Sequence, residues 1–532
     1  MATIHIGDPL RGKAVDLSHH LSDLARARVN SPLNKLFKYW EEPNLIIMAA
    51  GLPDPEYFPF SSVSSETLSF ASLLEKNSMS RQHFPPENKT ITICNETIAT
   101  KDFNLTTALQ YGPVTGLPQL IEFQTNLSAK VFQPAYDNFT TLIHTGNTDG
   151  WNRCVMALLN KGEGILVGEW TYPAALATAT PLGVSPVPIT IDGQGIRSDH
   201  LRQVLSGWDE NARRMPRPHV MYIIPVGQNP SGATMGFERK KEIYAICVEF
   251  DIIIVEDDPY YFLQQGPYVP KTDRVEDQIE ISANLEAYIA NLVPSFLKID
   301  YQGRVIRLDT FSKTVAPGSR LGWFTCNPMF AERLERFAEI STEGPSGFSQ
   351  SLITKLLLTW KYEGYMKWVQ ALSQKYKAKR DFFLDCLADE FNFQIVSAGE
   401  GNTWAGSNIY LASEKLNLRD GVQTIEKVPV MRRTLFSFVP PSSGMFIWMR
   451  LHFDNHPAVG LHDVNSLELQ LWELLAESGV LFAPGSIFSA GRESDKTEGY
   501  FRISFSQTKF QDMKTATSIL AKVITDFFRN FV

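Results

Sequence analysis

The sequence predicts an α/β protein with a mostly parallel central sheet, helices on both of its faces, and a smaller α+β unit beside it. Three observations carry this. Continuous apolar runs of strand length recur through the middle of the chain, as strands buried on both faces require. Helix-like stretches alternate with them, the order that parallel strands need. Chemically capable residues cluster just after the runs, where open α/β sheets bind ligands.

The runs are "FTTLIHTG" (139–146), "GILVGE" (164–169), "HVMYIIP" (219–225), "DIIIVED" (251–257), "RVIRLD" (304–309) and "LGWFTC" (321–326). Between them, "GFERKKEIYAICVEF" (236–250) sets Ile243, Ile246, Cys247 and Phe250 at i, i+3, i+4 and i+7, an apolar stripe with charges opposite. The ends read differently. A polar stretch follows residue 391, then hairpin-like strands ("SGMFIWMRL", "GVLFAPG", "YFRISFS") and a final amphipathic helix. The division expected is a segment 1–60 joining the small unit, a large unit 61–390, and the small unit 391–532. Three stretches, near 77–105, 266–300 and 398–430, read as insertions.

The chain has 532 residues, 44% of them hydrophobic and 20% charged, enough for a large core. Its net charge of −8, with both signs interspersed, argues against broad nucleic-acid binding. No apolar run reaches membrane-spanning length, and the first residues lack the apolar core of a signal peptide. Five scattered cysteines suit a reducing compartment, so a cytoplasmic location is expected, and none are spaced as metal ligands, so no metal site is expected. The N-x-[ST] triplets at Asn88, Asn95, Asn104, Asn126 and Asn138 read as chance without export.

Five strand ends deliver functional groups. After 139–146 come Asn147 and Thr148, opening a helix; after 164–169 comes Tyr172; after 219–225 comes "VGQNPSG" with Asn229. The run 251–257 ends in Asp257, with Tyr260 following, and "RLDTFSKTVAPGSRLGW" (307–323) holds Thr310, Ser312, Lys313 and Arg320. Each has an ordinary reading: a solvated lysine, a capping or ion-paired acid, an Asn-Pro turn, a packed tyrosine, a helix N-cap. Jointly they describe more. Lys313, flanked by apolar residues and near Arg320, would be pushed toward the neutral amine that Schiff-base chemistry uses. A buried acid in "IIIVEDDPYY" needs a cation, and a protonated pyridine is one. Hydroxyls, a guanidinium and a helix N-terminus suit a phosphate. Together these describe pyridoxal 5′-phosphate.

In order and spacing, the motifs from "MAAGLPDPEYFPF" (48–60) to "YFRISFS" (500–506) resemble fold-type I aminotransferases of class I/II, especially the fungal aromatic and the kynurenine/2-aminoadipate enzymes. The resemblance implies the fold-type I architecture and ping-pong transamination of an aromatic amino acid with 2-oxoglutarate or another 2-oxo acid. A 2-aminoadipate or kynurenine donor, or another reaction on the same fold, stands as the alternative. It also implies that Lys313 binds the cofactor covalently, that Asp257 meets its ring nitrogen, and that Asn229 and Tyr260 meet its phenolic oxygen. Tyr172 would stack on the ring, and Thr310, Ser312, Arg320, Asn147 and Thr148 would reach the phosphate. Relatives often carry Ser-Gln where this chain has Asn147-Thr148, and backbone N–H groups serve the phosphate equally there. Tyr111 would act across a homodimer, Arg502 would clamp the substrate carboxylate, and Gly51 would line the substrate pocket.

Overall fold

A computed structural model describes residues 12–29, 45–46, 48–49, 51–75, 89–95, 103–274, 281–399, 404–415, 433–458, 464–491 and 498–529. Much of the stretches read as insertions near 77–105 and 398–430, and residues 275–280 of the third, lie outside that set.

The six predicted runs are six strands of one seven-stranded sheet. They are β1 (Thr140–His144), β2 (Gly164–Gly168), β4 (Val220–Ile223), β5 (Ile253–Asp257), β6 (Val305–Thr310) and β7 (Gly322–Cys326), with β3 (Ser185–Ile189) as the seventh. The order is β1-β7-β6-β5-β4-β2-β3. The pairs β6/β5, β5/β4, β4/β2 and β2/β3 are parallel, whereas β7 runs antiparallel to both neighbours. β3 escapes a reading by apolar runs because its sequence, SPVPI, carries two prolines; it lies at the sheet edge, where a missing N–H is tolerated.

Helix α1 (Asn147–Leu158) starts directly behind β1, and α2 (Phe237–Glu249) precedes β5. The stripe read in α2 is buried through Ile243, Ile246 and Cys247, while Phe250 only caps the helix. Lys240 departs from the pattern. It lies on the buried side, where its Nζ donates to Pro294 O at 2.6 Å and sits 4.0 Å from Glu256.

Further along, α3 (Pro328–Glu339) and α4 (Gly347–Glu390, kinked at Lys361) lead into a six-stranded antiparallel sheet. Its strands are β8 (Phe391–Ser397), β9 (Asn408–Glu414), β10 (Thr434–Phe438), β11 (Phe446–His452), β12 (Ala483–Pro484) and β13 (Glu498–Ser504), in the order β8-β9-β10-β11-β13-β12. The final helix α5 (Phe510–Arg529) buries Met513, Leu520, Ile524 and Phe528. Strands β8 and β9 lie in the part of the chain that reads in sequence as a polar stretch. Residues 14–28, expected beside the small unit, make their bonds to the large one: Val15 N donates to Gln302 O, Ser22 N to Ala157 O, and Arg333 to Ala25 O.

Arg307 in β6 is completely buried, and it ties the sheet's centre together. Its guanidinium reaches Asp258 at 2.8 Å, Asp309 at 2.9 Å and Glu256 at 3.2 Å, and lies 3.8 Å over the Phe132 ring. Burial pushes the Asp258 carboxyl up to about 6 and the Asp309 carboxyl up to about 7, against the pull of Arg307. Arg307→Met strands three buried carboxylates, so it should cost about 3–5 kcal/mol of stability. Urea unfolding of variant and parent measures this; a loss below about 1 kcal/mol would show that the cluster behaves as a solvated one.

Candidate active site

The carboxyl ends of β4, β5 and β6 open onto one cleft, and β13 of the small sheet closes it from the other side. Strand alternation sorts the acids at the end of β5. Glu256 and Asp258 turn toward Arg307, while Asp257 faces the other way. There Asp257 Oδ2 accepts from Tyr222 Oη at 2.5 Å, and Oδ1 accepts from Asn147 Nδ2 at 2.6 Å. Both donors are neutral. Burial raises the Asp257 carboxyl above its usual range despite them and despite the more distant Arg307. A buried carboxylate with only neutral donors in contact is a receptor for a cation.

A second group of residues fits an anion. Gly146, at φ 103°, lies between β1 and α1, and Arg320 packs against it so closely that a Cβ there would overlap Nη2. Arg320 Nη1 also donates to Pro317 O at 3.2 Å and approaches Ser312 Oγ at 3.4 Å. Thr310 Oγ1 and Ser312 Oγ are 2.9 Å apart, and Ser312 N donates to Thr310 Oγ1. A guanidinium, two hydroxyls and the first turn of a twelve-residue helix thus converge, a combination suited to a phosphate. Thr148, in that first turn, is exposed.

Lys313 follows directly, half-buried. Burial lowers its ammonium first, and the Arg502 and Arg320 charges lower it further. Arg502, from β13, lies between the rings of Phe446 (4.5 Å) and Phe488 (4.7 Å). Its Nη1 donates to Asn229 Oδ1 at 2.9 Å, and its Nε is buried with no hydrogen-bond partner among the described residues. Burial lowers its guanidinium, with Tyr260 and Tyr172 opposing. Tyr260 is buried edge-on to Phe446, and burial pushes its phenol well up. Tyr172, half-buried, precedes a short helix.

The structure therefore brings together Lys313, Asp257, Asn229, Tyr260, Tyr172, Thr310, Ser312, Arg320, Arg502 and the start of α1. Asn147 differs from the expected phosphate contact. Its amide turns to Asp257 and to Leu308 O, leaving the phosphate end to backbone, to Arg320 and to the Thr310 and Ser312 hydroxyls. Tyr111 is 66% exposed, on a segment where Gln110 Nε2 donates to Pro53 O. Gly51 lies nearby in sequence, exposed, with open space where a Cβ would stand. Tyr261, next to Tyr260 in sequence, packs against Phe132 and Arg307 on the far face. Two members were not legible as site residues. Tyr222 hides inside the apolar run "HVMYIIP", where a phenol at the strand's end was the signal, and Gly146 is one glycine among 34.

Comparison with known proteins places the chain among aminotransferases. The family model for aminotransferase class I and II matches residues 92–402. The chain is 32% identical over 523 residues, 97% of its length and 98% of the relative's, to the aromatic amino acid aminotransferase C56E4.03 of Schizosaccharomyces pombe. It is 30% identical to the L-tyrosine:2-oxoglutarate aminotransferase atrD of Tapinella panuoides, covering 97% of each chain. Among solved structures, the crystal structure of aminotransferase Aro8 from Candida albicans superposes with a TM-score of 0.82 at 31% identity, covering 97% of this chain and 100% of that one.

Gly146→Ala places a methyl group in the volume of Arg320 and demands a strained positive φ. It should weaken pyridoxal 5′-phosphate binding by about tenfold or more, since about 1.4 kcal/mol suffices and displaced charge-assisted contacts exceed that. Equilibrium dialysis of parent and variant against the cofactor measures it. Equal affinity would remove Arg320 from the phosphate site.

Proposed function

The chain belongs to the aminotransferase class I and II family, and on that premise we propose that it uses pyridoxal 5′-phosphate to transaminate aromatic amino acids, with 2-oxoglutarate or another 2-oxo acid as acceptor. The observation that carries the cofactor is Asp257. Its two neighbouring acids take Arg307, and it alone of the three is left with neutral partners, ready for a pyridinium nitrogen. The Gly146–Arg320 pocket fits the phosphate, and the family as a whole depends on this cofactor. When bound, it supplies an aldehyde that captures the amino group and a protonated ring that accepts the electron pair left as the Cα proton departs.

The chain's own residues do the rest. Arg502 offers its unpartnered Nε edge to the substrate α-carboxylate, held in plane by Phe446 and Phe488 and in register by Asn229. Lys313, biased toward its neutral form, takes the proton from Cα and holds it for return. Tyr222 and Asn147 fix the orientation of the Asp257 carboxylate, which would hold the ring nitrogen. Asn229 accepts from Arg502, and Tyr260 packs edge-on against Phe446, the ring beside that same guanidinium.

Aromatic specificity is supported by the aromatic lining of the cleft and by the activities for which the fungal relatives are named. A homodimer is supported by the exposed Tyr111 and by the exposed, edge-packed pair Phe60 and Phe348. No helix among the described residues is long and apolar enough to cross a membrane, and all five cysteines are free, as in a cytoplasmic enzyme.

Lys313→Ala should reduce transamination by at least about 10²-fold, the lower range of general acid–base assistance, while cofactor affinity through the phosphate persists. Single-turnover kinetics with cofactor-loaded variant tests it, and a normal rate overturns the assignment. A panel of amino donors with 2-oxoglutarate tests the substrate. Phenylalanine, tyrosine and tryptophan should exceed 2-aminoadipate and kynurenine in kcat/KM by about tenfold or more. The reverse ranking would make this an aminoadipate or kynurenine enzyme.

A further inference from the structure

At the opposite edge of the large sheet, a cluster of imidazoles and carboxylates takes no part in the site above. His219 immediately precedes β4, and Asp251 stands just before β5 in a left-handed conformation (φ 57°), whereas the cleft lies at the other ends of the same strands, roughly 15 Å away. Onto this edge the N-terminal segment delivers His19 and His20 from a single turn of 3₁₀ helix, Ser18–His20. His19 Nε2 lies 2.7 Å from Asp251 Oδ2, and His20 Nε2 lies 3.1 Å from Asp251 Oδ1. The three donor atoms all fall within 4.8 Å of one another.

The hydrogen bonds behind them form a line. His20 Nδ1 faces His219 Nδ1 at 3.0 Å, and His219 Nε2 faces Glu163 Oε2 at 3.3 Å. This line has a counting problem. Carboxylates only accept, so His20 Nε2 and His219 Nε2 each need a hydrogen, and one of the two facing Nδ1 atoms needs another. Three hydrogens on two rings require an imidazolium beside or at His20, whose side chain is 3% exposed. A metal ion on His20 Nε2 removes the conflict. His20 then carries its hydrogen on Nδ1 and donates to His219, and His219 donates from Nε2 to Glu163, so each contact is satisfied by a neutral ring. That is the outer-shell pattern that orients metal-ligating histidines.

We propose that His19, His20 and Asp251 bind a divalent transition-metal ion, Zn²⁺ being the ion that best suits this donor set, and that the ion pins the N-terminal segment to the base of the sheet. Two imidazole nitrogens and a carboxylate oxygen are standard zinc donors, and bonds of about 2.0–2.2 Å place donors about 3.3 Å apart in a tetrahedron. The two imidazole–carboxylate separations, 2.7 and 3.1 Å, need only a small opening, and the 58% exposed His19 side chain can adjust to seat the ion. Arg304 Nη1 bonds Asp251 Oδ1 at 2.7 Å, leaving Oδ2 to face the ion and orienting the carboxylate. Water completes the coordination from the exposed side. The site differs in kind from one made of cysteines, which the scattered thiols of this chain do not form.

The test titrates Zn²⁺ into the cofactor-loaded enzyme, purified without a histidine tag and stripped with chelator, by calorimetry. The same titration is run on His19→Ala, an exposed position that leaves packing intact, and on Asp251→Asn. One ion per subunit is expected in the parent, with affinity reduced at least about tenfold in each variant and transaminase turnover unchanged in both. Zn²⁺ should also slow tryptic cleavage after Arg26 and Arg28 in the parent but not in His19→Ala. Absence of saturable binding by the parent overturns the proposal. So does equal affinity in parent and variants, which would locate the ion elsewhere, or cleavage that Zn²⁺ slows alike in parent and His19→Ala.

Discussion

The buried guanidinium of Arg307 sets the register on which the cleft depends. In the β5/β6 ladder Arg307 stands opposite Glu256, and Leu308 opposite Asp257. Side chains alternate across a strand, so a slip of one residue would turn Asp257 onto the Arg307 face and expel Glu256 and Asp258 from it. Glu256 and Asp258 make such a slip expensive, because both would leave the guanidinium and enter an apolar layer without a partner. The ionic cluster is thus better understood as specifying a register than as adding stability. Its by-product is chemical: it consumes the acids on one face and leaves Asp257 with neutral partners on the other. Ser295 and Phe296 N, both donating to Glu256, extend the same clamp to the loop behind the sheet.

A cleft made from two sheets also needs those sheets to hold one distance. The seam does this with backbone. Gln265 N donates to Ser442 O and its Nε2 to Gly444 O, Thr171 N donates to Phe488 O, and Gly227 meets Gly444 so closely that a Cβ on Gly227 would come within 2.7 Å of the Gly444 Cα. Glycine is required on that contact for want of space as well as for its positive φ. Because these bonds flank the Arg502–Asn229 contact, the carboxylate-binding arginine is fixed relative to the large sheet even though it belongs to the small one.

The sequence was most legible where one physical rule dominated. Strands covered on both faces must be apolar throughout, so six of seven could be read as runs, and the polar residues after them pointed to the cleft. Where two rules competed, legibility failed. β3 is a strand carrying two prolines, acceptable only because it is an edge, and edges are properties of the assembled sheet. β9 buries only Ile409 and Ala412 along NIYLASE and so reads as polar. Lys240 belongs to the charged face by pattern, yet it is buried because Pro294 O and Glu256 await it from distant segments. Asn147 was legible as a helix-start residue near a phosphate, but the direction of its amide depends on Asp257, 110 residues away. Tyr222 has the same difficulty, since only the fold shows that its hydroxyl ends on that carboxylate.

The charges around Lys313 give the cleft a built-in sequence of events. Besides burial, the two influences that lower its ammonium are Arg502 and Arg320. These are also the two guanidiniums suited to a substrate carboxylate and to a phosphate. Each anion that docks cancels part of the field that had disfavoured the proton on Lys313, so its basicity rises as the site fills. An amine whose proton is disfavoured while the cleft waits, and less disfavoured once carboxylate and phosphate are seated, is matched to receiving the Cα proton only when substrate is in place. The same coupling explains why Arg502 is gripped between Phe446 and Phe488 rather than left to swing in solvent. Its distance from Lys313 must stay fixed for the substrate's charge to be felt at the base.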